Sequence, residues 1–200
     1  YFLDLCCGKG RHAKYINSLG YKIDGTDLSK RNINNLQKFN NKKIHFFQSD
    51  MRKINTINKY NYVLNLFTSF GYFEKEEDDL LVANQIYKSL KNQGVLIIDF
   101  INMRKALIEI KKNEIKKVGD ITFEIEKKYD NQFLYKKINF TDKNKKYSFI
   151  EKVKILNKYD FKHIFEKNKL KLIETFGDYE LNKFHNNSDR LIMIFKKLIN

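Results

Sequence analysis

The first twenty residues constrain this chain more than any other stretch. Tyr1-Phe2-Leu3-Asp4-Leu5 is a short, mostly apolar run carrying one acid, and Cys6-Cys7-Gly8-Lys9-Gly10 is a tight turn bearing two glycines. Ala13, Ile16 and Leu19 then recur at three-residue spacing until Gly20 closes the segment. A strand, a glycine turn and a helix start form a unit in which backbone N–H groups face a ligand. Small turn residues let that ligand approach the main chain. The chain therefore opens on a nucleotide-cofactor pocket.

Alternating strand and helix signals continue through the first half. Tyr21 to Thr26 reads as a second strand ending at Asp27, and Ser29 as the N-cap of a helix carrying Ile33, Leu36 and Phe39. Ile44 to Gln48 reads as a third strand and Tyr62 to Phe67 as a fourth. Residues 76–91 show one apolar helical stripe, which Gly94 is expected to stop before a continuous apolar strand from Val95 to Phe100. Continuous strands in βα order predict a parallel sheet covered on both faces. The second half changes period. Ile121, Phe123 and Ile125 alternate with polar residues, and the rhythm continues to Ile155, predicting a three-stranded antiparallel meander over 118–156. A helix around Phe161 to Phe165 and strands at 170–176 and 190–195 close the chain.

A chain of 200 residues is expected to form one domain with its own core. Its net charge is +15, but only five of its 39 basic residues are Arg, leaving 34 Lys spread along the whole length. Nucleic-acid sites favour Arg forks, so this pattern reads as a solvated surface and speaks against a nucleic-acid partner. No apolar run reaches membrane-spanning length. The two cysteines are adjacent and lack partners elsewhere, which predicts a reduced, cytoplasmic location with neither disulfides nor a metal centre. The chain begins with Tyr already inside a strand, and we expect upstream residues to exist.

Gly8-Lys9-Gly10-Arg11-His12-Ala13 matches G-x-G-x-x-A, a pattern that dinucleotide enzymes share. Asp27 at the second strand tip can accept from ribose hydroxyls in either cofactor class. Asp50-Met51, after the third strand, points elsewhere: an acid there can accept from an adenine amino group while the next amide meets a ring nitrogen. Asp4-Leu5-Cys6-Cys7-Gly8-Lys9-Gly10-Arg11-His12, Gly25-Thr26-Asp27-Leu28-Ser29, Ser49-Asp50-Met51-Arg52 and Leu64-Asn65-Leu66-Phe67-Thr68-Ser69-Phe70-Gly71-Tyr72-Phe73 together resemble successive motifs of the class I S-adenosylmethionine-dependent methyltransferases. The second half is similar to small-molecule members that insert antiparallel strands before the last helix, amino-sugar N-methyltransferases among them. Cys6 stands where the family has its first turn glycine.

The resemblance implies a Rossmann-like seven-stranded, mostly parallel sheet with one antiparallel strand, helices on both faces and an inserted meander. It implies S-adenosylmethionine as cofactor. Asp4 and the turn containing Cys6, Gly8 and Gly10 would hold the methionine part, Asp27 the ribose and Leu28 the adenine face. Asp50 would take the adenine amino group, Met51 the ring, and the backbone of Asn65 and Leu66 the cofactor's amino group. The function implied is methyl transfer to a small-molecule N or O nucleophile, with the 118–156 insertion as a lid or homodimer surface. No catalytic residue is assigned; Tyr72 and His185 are the first bases to consider for an oxygen acceptor. Phe70 and Tyr72 fit either core packing or stacking near the sulfonium, while His12 reads as structural and His45 and His163 as surface or core. The alternatives are an RNA or protein methyltransferase, a catalytically silent cofactor-binding module, and an NAD-dependent oxidoreductase, which requires the final strand pair to be parallel.

Overall fold

The structure, a computed structural model, describes residues 1–198. Five parallel strands form the first half of a seven-stranded sheet: β1 (Phe2–Leu5), β2 (Ile23–Asp27), β3 (Ile44–Gln48), β4 (Tyr60–Asn65) and β5 (Leu90–Ile101). Helices α1 (Arg11–Ser18), α2 (Lys30–Leu36) and α3 (Glu76–Ser89) connect them, and the short α4 (Met103–Ile108) follows β5. An inserted sheet comprises β6 (Asn113–Val118), β7 (Ile121–Tyr129), β8 (Phe133–Asp142) and β9 (Lys145–Lys154). Helix α5 (Lys158–Glu166) and strands β10 (Leu170–Phe176) and β11 (Arg190–Lys197) complete the fold.

The main sheet runs β10-β11-β5-β4-β1-β2-β3. Strand β11 is antiparallel to both β5 and β10, and every other adjacent pair in this sheet is parallel. The sheet order reverses between β1 and β4, so the loops leaving their carboxyl ends diverge and open a crevice for a ligand. The expected seven-stranded sheet with one antiparallel strand is therefore present, and the antiparallel final pair contradicts the oxidoreductase alternative.

Two apolar clusters hold the frame. Leu3, Val63, Leu96, Ile98, Phe100, Met193 and Phe195 pack against α3 and α5 on one side, through residues such as Ile86 and Phe161. Ala13, Ile33 and Leu36 pack against Ile23, Ile44 and Phe46 on the other. Lys197 is buried, and its ammonium donates to the Tyr87 and Leu90 carbonyls at 2.8 and 2.7 Å, capping the end of α3, where the helix dipole favours a cation.

Three sequence expectations need correction. Helix α3 ends at Ser89, and Gly94 lies inside β5 rather than stopping the helix. The fourth strand spans Tyr60–Asn65, not Tyr62 to Phe67: Phe67 and Thr68 adopt φ of 57° and 59°, in which a strand cannot continue. The meander has four strands from Asn113, not three from 118. Strand β6 (Asn113-Glu114-Ile115-Lys116-Lys117-Val118) carries too little apolar alternation to be visible alone, and forms by pairing in register with β7. On one face of this sheet Phe123, Phe140 and Tyr147 align across three strands, with Phe140 4.9 Å from Phe123 and 5.0 Å from Tyr147 between ring centroids.

Candidate cofactor site

The glycine turn after β1 is built from unusual backbone. Cys6, Gly8 and Gly10 all have positive φ, at 65°, 55° and 69°. Glycine tolerates this region freely, whereas Cys6 carries strain at the position where the family places glycine. The glycines serve different ends. A Cβ on Gly8 would meet nothing within 4 Å, so this stretch of main chain opens onto free space. Gly10 and Gly25 are packing glycines, since a Cβ would lie 2.9 Å from Leu36 and 2.6 Å from the Phe46 ring respectively.

Asp4 is buried and accepts from the Ala13 amide at 3.2 Å. It thus caps α1 from the preceding strand, a helix start that has no side-chain cap of its own. Burial pushes its carboxyl up to about 7, opposed by the Ala13 hydrogen bond and reinforced by Asp27. The folded state therefore binds the Asp4 proton more tightly than an unfolded chain whose carboxyl titrates near 3.8. This stabilisation is fully present below the unfolded value and is lost as pH rises through about 7. Asp4→Asn keeps an acceptor for Ala13 and removes the titration. Between pH 5 and 8 the parent protein is expected to lose about 2 kcal/mol relative to this variant in urea denaturation. Parallel pH profiles would show that the Asp4 carboxylate is not buried.

Asp27, at the β2 tip, reaches across to the turn. Its Oδ2 accepts from the Gly8 amide at 2.8 Å and its Oδ1 from the Ser29 amide at 2.9 Å. Ser29 in turn caps α2 by accepting from the Asn32 amide at 3.2 Å. Each carboxylate oxygen has a second acceptor direction available. Leu28 beside it is 67% exposed, with its apolar side chain free to cover a flat ligand.

Asp50, at the β3 tip, is committed locally. It accepts from Arg52 at Nη2 (2.7 Å), at Nε and at the backbone amide, and this guanidinium holds its carboxyl below the usual range. Arg52 also bonds Asp78 at 3.0 Å and covers the Phe73 ring at 4.5 Å. It therefore ties the β3 tip to the start of α3 and to the loop after β4. Met51 reaches the turn through its sulfur, 3.9 Å from the Cys6 sulfur. The Cys6 thiol is pushed up to about 12, by burial first and then by Asp27, Asp4 and Asp50. Three carboxylates from three strand tips thus surround one turn.

Asn65, last in β4, is buried; its amide nitrogen donates to the Leu5 carbonyl at 3.4 Å and its Oδ1 has no donor among the described residues. Leu66 follows and lines a cavity of about 510 Å³ with Phe67 and Arg11. Thr26 leaves a second buried oxygen without a partner at the β2 tip. Orphaned polar atoms beside an open glycine main chain fit a polar ligand across these tips.

The loop after β4 is pinned by a residue that sequence reasoning missed. Buried Asp99 of β5 accepts from the Phe67 amide at 3.1 Å, the Arg190 Nε at 2.7 Å and the Tyr179 hydroxyl at 3.1 Å. Its own carbonyl accepts from the Thr68 amide at 2.9 Å. Nothing in the local sequence marks Asp99, which lies within a continuous apolar strand, because its partners come from 32, 80 and 91 residues away.

The remaining candidates separate cleanly. Phe70 is core, packed on Phe161 and Phe165 at 5.5 Å. Tyr72 is 48% exposed, and burial of its hydroxyl raises its pKa, keeping it protonated at neutral pH. His185 accepts from the Asn187 amide through Nδ1 at 3.3 Å, which places the proton of the neutral ring on Nε2. His12 stacks on Phe67 at 5.4 Å, and burial lowers its pKa.

Comparison with known proteins agrees with this geometry. A family model for the methyltransferase domain matches residues 2–94. A Bacillus subtilis protein named "Putative methyltransferase YqeM" is 28% identical over 100 residues, covering 48% of this chain and 40% of that protein. The match thus spans well under half of the curated relatives' length. An S-adenosylmethionine-dependent methyltransferase from Clostridium acetobutylicum superposes with a TM-score of 0.87 at 16% identity, covering 99% of this chain and 84% of that one. The sugar N-methyltransferase KedS8 from Streptoalloteichus does so with a TM-score of 0.80 at 13% identity, covering 99% and 80%. At these identities the structural likeness establishes the fold. Residues 2–94 match the methyltransferase-domain model, and the fold throughout is the one shared by the S-adenosylmethionine-dependent methyltransferases on which the chain superposes.

Proposed function

We propose that the chain binds S-adenosylmethionine across the tips of β1 to β4 and transfers its methyl group to a small-molecule nitrogen or oxygen nucleophile. The observation that carries this reading is the convergence at one open turn. Gly8 presents bare main chain, Asp27 is hydrogen-bonded to it, and Met51 touches Cys6. Asp27 would hold the ribose hydroxyls and Leu28 would cover the adenine. The Met51 backbone would meet the adenine ring, with Asp50 accepting its amino group through whatever capacity Arg52 leaves. Asn65 and Leu66 would face the cofactor's amino group. Asp4 acts one step back, by fixing the start of α1.

When bound, the cofactor supplies an activated methyl on a sulfonium, so the protein's task is orientation, worth up to about 7–11 kcal/mol in well-aligned cases. Tyr72 and the Phe67–Phe73 loop would form the acceptor wall. Neither Tyr72 nor His185 is set up as a neutral-pH base, since one is protonated and the other has its lone-pair nitrogen engaged. This favours an amine acceptor, which needs only to arrive unprotonated. The single domain would use its inserted sheet, whose apolar face carries Phe123, Phe140 and Tyr147, as a lid over the acceptor or as the contact between two copies. Free Cys6 and Cys7 fit a reducing cytoplasm.

Calorimetry distinguishes the readings directly. S-adenosylmethionine and S-adenosylhomocysteine are expected to bind with micromolar dissociation constants, corresponding to about 8 kcal/mol, and NAD not measurably. Binding of NAD in place of either sulfur ligand would overturn the proposal. Salt-sensitive capture of RNA at physiological ionic strength would instead move the acceptor to a macromolecule.

A further inference from the structure

Arg52 is bonded to two carboxylates and stacked on one ring, and each partner belongs to a different part of the site. The two oxygens of Asp50 offer four acceptor directions. All four are used within the fold. Oδ1 accepts from the Arg52 amide at 2.9 Å and from Arg52 Nε at 3.1 Å, and Oδ2 accepts from Nε at 3.2 Å and from Nη2 at 2.7 Å. A further donor at Asp50, such as the amino group of an adenine, therefore enters only by displacing an arginine contact. The contact that yields most readily is that of Nε, whose one N–H is divided between both oxygens.

The other edge of the same guanidinium holds the acceptor wall. Nη1 donates to Asp78 in the first turn of α3 at 3.0 Å, and the guanidinium carbon lies 4.5 Å from the centre of the Phe73 ring. Phe73 ends the loop proposed as that wall, and Glu74 beside it pairs with Lys152 of the inserted sheet. The guanidinium is a rigid plane, so a turn at one edge moves the other. The Arg52 side chain is 32% exposed, and ion pairs open to solvent in this way exchange partners at little cost. We propose that Arg52 is a positioning residue that couples adenine binding at Asp50 to the placement of Phe73 in the acceptor wall. This rests on the cofactor reading above and gives the same site a means of ordering its two ligands. The adenine amino group takes up part of the Asp50 carboxylate, the freed guanidinium edge swings toward Asp78, and the ring stacked on it follows. By reciprocity, an acceptor that presses on Phe73 changes cofactor affinity by the same factor. The cofactor thus assembles the acceptor wall before the acceptor arrives.

The chain has no tryptophan, so Phe73→Trp provides a single fluorescent reporter at the wall. Titration with S-adenosylhomocysteine is expected to shift the reporter's emission, with a midpoint at the calorimetric dissociation constant. With Arg52→Gln added, calorimetric affinity is expected to stay within about fivefold, as for loss of a partly exposed ion pair, while the emission shift disappears. Arg52→Lys should lose most of the shift as well, because a point charge does not bridge two carboxylates and a ring as the planar fork does. Hydrogen exchange over residues 67–73 gives the same readout without the reporter: S-adenosylhomocysteine slows it when Arg52 is present and not in Arg52→Gln. An emission shift that persists in Arg52→Gln would mean that Arg52 serves the fold alone. A shift absent from the reporter, although calorimetry shows binding, would mean that the wall does not respond to adenine. Both results overturn the inference and leave the cofactor reading standing. If the unaltered protein does not bind S-adenosylhomocysteine in calorimetry, the cofactor reading itself fails and the inference falls with it.

Discussion

Asp27→Ala is expected to weaken S-adenosylhomocysteine by about 1.5–3 kcal/mol, roughly 10- to 150-fold, the range for hydrogen bonds to a charged acceptor. Two losses combine. The ribose acceptor disappears, and the Gly8 amide loses its 2.8 Å partner, so the turn that presents open main chain is no longer tied to β2. Asp27→Asn separates these effects. It keeps one carbonyl oxygen for the Gly8 amide but loses the charge and half the accepting capacity, and should fall between the parent and the alanine variant. Calorimetry measures affinity and urea denaturation checks that the fold survives. An unchanged affinity in Asp27→Ala would show that the nucleoside lies elsewhere.

Lys154→Ala is expected to cost about 3–5 kcal/mol of folding stability, the largest structural effect of any single change discussed. Lys154 closes the inserted sheet, and its ammonium pairs with the Asp79 carboxylate in the first turn of α3. The Asp79 side chain is 1% exposed and its second oxygen already lacks a donor. Removing the lysine leaves a buried charge with no partner, and burial already raises this carboxyl's pKa. Replacing both partners, Lys154→Met with Asp79→Leu, should return most of the loss, because no charge is then stranded. Urea midpoints of the three variants decide the matter. A loss below about 1 kcal/mol in Lys154→Ala would mean that water reaches the pair. The contact also locates the insertion: the Lys154 amide donates to the Gly71 carbonyl at 2.8 Å, so the base of the inserted sheet is bonded to the loop proposed as the acceptor wall.

Much of the frame was legible because local signals and tertiary demands agreed. The turn at Cys6 to Gly10, the Ser29 cap and the apolar strands each carry their own physical cause within a few residues. The residue types after each strand tip were legible at their spacings: an acid at 27, an acid and a methionine at 50 and 51. Strand β6 was not legible, since Asn113-Glu114-Ile115-Lys116-Lys117-Val118 gains its conformation only from the neighbour it pairs with. Nor was the end of β4, where Phe67 reads as a strand residue although Asp99 holds the Phe67 and Thr68 backbone in a turn.

The amino-acid sequence alone determined the chain order of the main-sheet strands, the glycine turn and the residues offered at each tip, because periodicity, capping and backbone freedom are short-range properties. Only the tertiary structure decided how those residues are used. It turned Asp4 into the cap of α1, bound Asp50 to Arg52, set Asp27 against Gly8, and laid Arg11 over Phe67. Hydrogen bonds and ion pairs join groups far apart along the chain, and a carboxylate's partner follows from where the sheet places its neighbours.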